Sequence, residues 1–534
     1  MKKFYFSLFI LPLLALASCQ QKTHLEFVET TDIHGYMPYL IEEAAYFDQQ
    51  RAQYGDNFIL LDGGDNLQGT TCVYYAKKNP SIQHIASRAF NYLGYDVVTI
   101  GNHDIEAGKD VCDRFFSELN AEVVCANLID ESTSEPYYKP YTILERDGVR
   151  IAVLGMITPY VSFWVHESLR KGLTFEKLET SAQKWIDIIR EKENPDIMIG
   201  LFHSGLIPTD ETLNSDELGL ENSTLWVAQN IPGFDIIFYG HDHKANATKV
   251  ANIAGDSVWV VNGGYRACNV AQVSVDFKKS FGKVTKNIDA KVVVMDSEKD
   301  PSIPTTDTVF NKMVFGWKKR CDSLQGEKIT VLTHEISSYR EDFINPNEWI
   351  SFIHEAQFTL AKLNGYDAQI SFTAPLTVDA KIAAGDMYVR DFFSLYRFEN
   401  YLSVVRMLGS EVKKYLEYSY KIYFLKNGTF YNFDTAEGID YTVQLDGTDA
   451  HINIERMSDG TPFDPSKVYN VVMNSYRAAG GGGHLIVGLG WNSQQIMDNT
   501  IWTSDSEIRS LIIDLARNTE EINPKAVNNW RWVK

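Results

Sequence analysis

At 534 residues the chain is too long for one ordinary hydrophobic core, so two domains are expected. Its 44% hydrophobic content excludes a disordered chain. A net charge of −20 excludes a general binder of nucleic-acid polymers, because no basic surface is there to release counterions; a small anion gripped by metal ions is not excluded.

The N-terminus opens on Met1-Lys2-Lys3, followed by an apolar stretch over 4–17 that is too short to span a bilayer comfortably. Leu16-Ala17-Ser18-Cys19 then resembles the lipobox of bacterial lipoproteins. The resemblance implies a signal peptide over 1–18, lipidation of Cys19, and a membrane-anchored protein facing the periplasm or cell surface. Acyl chains anchor because each buried CH₂ contributes about 0.8 kcal/mol. An ordinary cleaved signal with an incidental Cys19 is the alternative. No other run is apolar and long enough for a transmembrane helix. Cys72, Cys112, Cys125, Cys268 and Cys321 have no CxxC spacing, so up to two pairs or five buried thiols are both open.

From 24 to 295 short apolar runs alternate with amphipathic ones. Runs at 25–31, 58–61, 97–100, 151–155, 197–202 and 236–239 read as buried strands, and 81–93 and 181–193 as helices. Five polar segments follow strands: Thr31-Asp32-Ile33-His34, Asp62-Gly63-Gly64-Asp65, Gly101-Asn102-His103-Asp104-Ile105-Glu106, Phe202-His203-Ser204 and Gly240-His241-Asp242-His243. In open α/β sheets ligands bind where strands hand over to loops at their carboxyl ends, and these segments sit there. A polar, proline-bearing linker with a helix over 306–324 occupies 296–325, and a second domain of mixed helix and strand fills 326–534.

Carboxylate, amide and imidazole donors without a cysteine cluster suit Zn, Mn or Fe. Asp32, His34, Asp65, Asn102, His203, His241 and His243 are enough for two divalent ions about 3.5–4 Å apart, which together hold a phosphoryl group and activate water. One histidine alone would be an ordinary core or surface residue; seven donors in this order after strands are not.

These segments resemble those of the calcineurin-type metallophosphoesterases, specifically the 5′-nucleotidase and 2′,3′-cyclic-nucleotide phosphodiesterase family of exported bacterial enzymes. The resemblance implies a four-layered α/β/β/α core followed by an α+β substrate-binding domain. It assigns Asp32, His34, Asp65 and His243 to one metal, and Asp65, Asn102, His203 and His241 to the other, with Asp65 bridging. It makes His103 the catalytic side chain. The family's Asn-His-Glu-Phe-Asp pattern is here Asn102-His103-Asp104-Ile105-Glu106, with the two acids exchanged, so Glu106 is the expected partner of His103 and Asp104 the competitor.

In the second domain Leu395-Tyr396-Arg397-Phe398-Glu399-Asn400 precedes a strand, and Asn474-Ser475-Tyr476-Arg477 with Gly480–Gly483 follows one. By resemblance Phe398 and Tyr476 sandwich a nucleobase, while Asn400 and Asn474 lie at the same site; stacking contributes about 1–3 kcal/mol per base. The glycine run is no P-loop, since no Gly-Lys-Ser/Thr follows it. The 5′-nucleotidase branch carries a Gly-Gly-x-Arg segment where this chain has Ser371-Phe372-Thr373-Ala374-Pro375-Leu376. The expected activity is therefore that of a 2′,3′-cyclic-nucleotide 2′-phosphodiesterase/3′-nucleotidase. The alternatives are a 5′-nucleotidase or UDP-sugar hydrolase, or a nucleotide-binding surface lipoprotein without catalysis.

Overall fold

The computed structural model describes residues 21–79, 83–165, 167–207, 214–215, 218–280 and 283–533. The expected signal peptide and Cys19 lie outside them.

Strand Gln21–Thr30 seeds the first of two six-stranded sheets. It pairs in parallel with Phe58–Asp62, which continues in parallel to Val97–Val98 and Glu122–Val123; on its other side it meets Asn269–Ser280 antiparallel. The second sheet runs Asn246–Ala251, Ser257–Asn262, Ile236–Tyr239, Ile197–His203, Val149–Ile157, Tyr141–Arg146. Alternation along each strand splits its side chains between two environments. Phe27, Ile59, Leu61 and Val97 meet Val153, Ile199, Leu201 and Phe238 between the sheets. Val28, Leu60, Val98 and Ile100 instead face helices Ile41–Tyr54, Ile85–Leu93 and Lys109–Ser117. On the far side Leu154, Met198 and Tyr239 meet Leu178–Glu193 and Thr224–Asn230. The result is the helix–sheet–sheet–helix order expected from the family likeness.

The 296–325 segment is bound to this first half rather than loose. Asp307 caps helix Thr308–Gln325 by accepting from the Val309 and Phe310 N–H groups. Phe310, Val314, Trp317 and Cys321 form the helix's buried stripe. Cys321 is disulfide-bonded to Cys72 of helix Thr71–Lys78, and Gln325 Nε2 donates to Thr71 Oγ1 at 2.6 Å. Cys112 and Cys125 are buried thiols, and Cys268 is exposed.

The second half is built on a five-stranded sheet in the order Thr435–Glu437, Ile370–Thr373, Val468–Asn474, Tyr401–Leu408, Thr500–Glu507. Leu402, Val404 and Val472 point to helices Glu348–Leu363 and Ile508–Arg517, while Val405, Met407, Val471 and Met473 point to Gly409–Leu425. Among the described residues no helix is long and apolar enough to cross a membrane.

Candidate metal centre

The five polar segments converge because the carboxyl ends of parallel strands from both sheets open on the same side. Asp32 and His34 follow Gln21–Thr30, Asp65 follows Phe58–Asp62, and Asn102 begins helix Asn102–Glu106 just after Val97–Val98. His203 ends Ile197–His203, and His241 and His243 follow Ile236–Tyr239.

Five of these seven residues adopt left-handed backbone: Asp32 (φ 52°), His34 (51°), Asp65 (63°), His241 (78°) and His243 (58°). Such conformations cost on the order of 1–3 kcal/mol each and persist where surrounding bonds overdetermine them. Here the Asp32 N–H donates to the Gly64 carbonyl at 2.9 Å, the His34 N–H to the Asp65 carbonyl at 2.9 Å, and the Gly240 N–H to the Phe202 carbonyl at 3.0 Å. Gly101 is required by this crowding, since a Cβ on it would lie 2.0 Å from Asp65 Oδ1.

The side chains present their donor atoms to a common space. His34 Nε2 and His243 Nε2 are 3.0 Å apart, and Asp32 Oδ1 is 3.3 Å from His243 Nε2 and 4.0 Å from His34 Nε2. Asp65 Oδ2 is 3.1 Å from His203 Nε2. Asn102 Oδ1 is 3.2 Å from His203 Nε2 and 2.9 Å from His241 Nδ1. Asp32 Oδ1 is fully buried yet makes no hydrogen bond, although Oδ2 accepts from Thr31 Oγ1 and the His241 N–H. A buried, unpartnered carboxylate oxygen facing imidazoles and a second carboxylate fits a divalent cation.

Burial and the two carboxylates together set the charge of the cluster. Burial works against charge on His203, but the Asp65 and Asp32 carboxylates outweigh it and lift the ring to about 9. Burial likewise opposes ionisation of Asp32, and the close His243 imidazole together with His203 overcomes it, holding the carboxyl at about 2. His34 is pushed down to about 3, first by burial, and so sits in the neutral form that ligates. His203 Nδ1 lies 2.7 Å from the Gly63 carbonyl, which orients Nε2 to the centre.

His103 stands at the edge of this cluster. Its Nδ1 lies 2.6 Å from Glu106 Oε2, three residues on along the same helix, and its Nε2 lies 4.0 Å from Asp65 Oδ2. Burial opposes the charged ring, and the Glu106 and Asp65 carboxylates outweigh it, raising the ring to about 10. Asp104 is turned away: its carboxylate accepts from the N–H groups of Gly101, Asp65, Asn66 and Leu67 at 2.7–3.0 Å. It organises the loop that carries Asp65, which leaves Glu106 as the acid on the ring.

Three neighbours of the imidazoles have no marker in the sequence. Glu221 Oε1 lies 3.1 Å from His241 Nε2, Trp164 stacks on His241 at 5.5 Å, and Tyr265 stacks on His243 at 5.4 Å. None was singled out by the motif spacing, although Glu221 directly follows the short strand Gly219–Leu220 and Tyr265 lies just past Ser257–Asn262.

Phe398 and Tyr476 are large aromatic side chains left 39% and 46% exposed. Phe398 also meets Tyr431, edge to face at 6.2 Å, an aromatic that sequence reasoning did not single out. Gly481 lies against Tyr476, where a Cβ would come within 2.4 Å of the ring. Buried Arg477 ties these walls together. It forks onto Asp434 at 2.8 and 2.9 Å and donates to the carbonyls of Gly481 and Tyr431. Asn400 is half-buried just before strand Tyr401–Leu408. Asn474 is buried, and its Oδ1 caps helix Ser475–Ala478 by accepting from the Arg477 N–H at 2.8 Å. It therefore supports Tyr476 from behind.

A calcineurin-like phosphoesterase model matches residues 25–245, and a 5′-nucleotidase C-terminal domain model matches 328–487. The chain belongs to the calcineurin-like metallophosphoesterases that carry a 5′-nucleotidase C-terminal domain, a group of metal-dependent phosphoester hydrolases. Among individual relatives it is 24% identical to the 2′,3′-cyclic-nucleotide 2′-phosphodiesterase/3′-nucleotidase of Haemophilus influenzae, over 97% of this chain and 89% of that protein. It is 26% identical to the trifunctional nucleotide phosphoesterase protein YfkN of Bacillus subtilis over 97% of this chain, but spans only 39% of that protein's length. Solved structures of a 5′-nucleotidase precursor from Thermus thermophilus (TM-score 0.64, 18% identity, 96% of this chain and 99% of that one) and the NAD nucleotidase of H. influenzae (0.60, 19%, 96% and 100%) share the fold.

Proposed function

We propose that this protein is an exported dimetal phosphohydrolase of nucleotides, acting on 2′,3′-cyclic nucleotides and 3′-nucleotides. The observation that carries the reading is the convergence of seven ligand-type side chains beside a paired His103–Glu106. The activity for which the H. influenzae relative is named, in a protein that aligns over most of both chains, supports the choice of substrate.

In this reading Asp32, His34, Asp65 and His243 hold one ion, and Asp65, Asn102, His203 and His241 the other. When bound, such a pair supplies positive charge to the phosphoryl oxygens and lowers the pKa of water. Glu106 keeps the His103 ring oriented and charged, so that Nε2 can donate a proton to the ribose oxygen as its bond to phosphorus breaks. Hydrolysis of the cyclic ester at the 2′ oxygen leaves a 3′-nucleotide, and a second hydrolysis leaves nucleoside and phosphate. Phe398 and Tyr476 stack on the base with Asn400 beside them, and Asn474 holds the Tyr476 turn. Residues 24–295 form the catalytic domain, 296–325 the connecting segment and 326–534 the nucleotide-binding domain. Residues 1–18 direct export, and lipid on Cys19 anchors the protein to the membrane.

The test is an assay of chelator-treated protein reloaded with Zn, Mn or Fe, offered 2′,3′-cyclic AMP, 3′-AMP, 5′-AMP and UDP-glucose. Metal-dependent turnover of the first two is expected. Fast turnover of 5′-AMP with none of the cyclic ester would overturn the substrate choice, and nucleoside binding without any turnover would make the protein a binding lipoprotein. For the anchor, radiolabelled palmitate is expected in the wild-type protein and absent from Cys19→Ala.

A further inference from the structure

We propose that Gln68 is a positioning residue through which the second domain sets the carboxylate of the His103–Glu106 pair. The inference rests on the reading of that pair as catalytic.

Gln68 lies three residues beyond Asp65, with the backbone just before it locked by the Leu67 N–H donating to Asp104 at 3.0 Å. Its Nε2 donates to Glu106 Oε2 at 3.3 Å and to the Glu399 carbonyl at 3.2 Å. Glu106 Oε2 is the oxygen that faces His103 Nδ1. One amide thus touches both the acid of the pair and the loop that carries Phe398 and Asn400.

That loop is itself fixed. Glu399 Oε1 accepts from the Gly69 N–H at 3.1 Å and from Arg509 at 2.6 Å. The Arg509 guanidinium is buried over the Phe393 ring at 3.8 Å. Two residues on, the Tyr401 hydroxyl donates to the Glu106 carbonyl. Lys77 and Glu507 close the same seam at 2.6 Å. Among the described residues the other Glu106 oxygen has only a long contact, 3.4 Å from Asn102 Nδ2. Without Gln68, rotation of the carboxylate is opposed by little besides the imidazole itself. Misplacement of a catalytic group by about 1 Å can cost up to about 10²-fold in rate. Docking of the second domain therefore does more than deliver the base: it completes the geometry of the acid that orients His103.

The experiment uses the full, metal-loaded protein with 2′,3′-cyclic AMP and with bis(p-nitrophenyl) phosphate, which has no base to bind. Gln68→Ala and Gln68→Met, the latter keeping the chain length without the donor, are expected to lower kcat about tenfold on both substrates with KM within twofold. In a Glu106→Ala background the same substitutions are expected to have no further effect. Glu399→Ala is expected to lower kcat in the same direction, and to add nothing once Gln68 is replaced. Equal losses with and without Glu106, or kcat within twofold of wild type for Gln68→Met, would overturn the role of Gln68. Additive losses with Glu399→Ala would overturn the link to the second domain. His103→Ala separates the two levels. If it retains wild-type kcat, the catalytic reading fails; if it is inactive while Gln68→Met is unchanged, only this inference fails.

Discussion

The exchanged acids after Asn102 show how much a single methylene and a single turn of helix decide. A residue three positions on from His103 shares its helix face, whereas the adjacent Asp104 points elsewhere, into four backbone N–H groups. Replacing His103 with Ala is therefore expected to lower kcat by about 10²–10⁴ with metal content unchanged, read by steady-state kinetics alongside elemental analysis. Asp104→Ala should behave differently. It strips acceptors from the loop bearing Asp65, so metal content is expected to fall with activity. Glu221 belongs to the same scale. As the carboxylate on His241 Nε2 it should raise metal affinity, and Glu221→Ala is expected to weaken it about 10–100-fold in competition with a chromogenic chelator. An unchanged affinity would remove Glu221 from the support of the site. The seven donors were legible because each follows an apolar run. Glu221 was not, because it reaches His241 only through the fold: helix Thr224–Asn230 and strand Ile236–Tyr239 separate the two in the chain.

At the scale of elements, the strands announced themselves by composition, and the helix over 306–324 by the polar, proline-bearing segment before it. What that helix does could not be read from it. Its buried stripe packs onto the first domain, and Cys321 bonds to Cys72 across 249 residues. Five cysteines allow many pairings, and only the docking of Thr308–Gln325 against Thr71–Lys78 selects this one. Cross-links that close long loops stabilise mainly by restricting the unfolded chain, typically by about 2–4 kcal/mol. Cys321→Ser is accordingly expected to lower the unfolding free energy from urea titration by that amount, and reductant should lower the wild type to the same value while leaving the variant unmoved. The glycine run of the second domain divides in the same way. Its turn was legible as glycine, and Gly480, Gly482 and Gly483 do adopt left-handed φ of 90°, 70° and 75°. Its attachment to Tyr431 through buried Arg477 was not.

Over the whole molecule the two halves meet along a seam that runs past Gln68, Glu106, Glu399 and Tyr401, so the expected nucleotide face and the expected metal centre are neighbours. Both halves also share one electrostatic property. His84 in the first and His354 and His484 in the second are fully buried, and burial holds each down at about 3, helped by Arg114 at His84 and by Arg477 at His484. The unfolded chain protonates these rings near 6.5 while the folded one does not. Their contribution to stability is thus complete above about pH 6.5 and is lost as pH falls from there toward 3. Between pH 7.5 and pH 5, the urea midpoint of His354→Gln, which can keep a bond to Ser371 or Thr435, is expected to shift less toward lower values than that of the wild type. The same pH dependence in variant and wild type would remove His354 from the account. By itself the sequence determined which donor atoms exist, that they sit at strand ends, and hence the metal-phosphoester class, because strand period and the residue after each strand are local properties. Only the tertiary structure decided that Glu106 rather than Asp104 faces His103, that Glu221 backs His241, that Cys72 pairs with Cys321, and that Gln68 touches both domains. Those are contacts between residues whose proximity is set by how sheets, helices and domains pack, a quantity that no local pattern encodes.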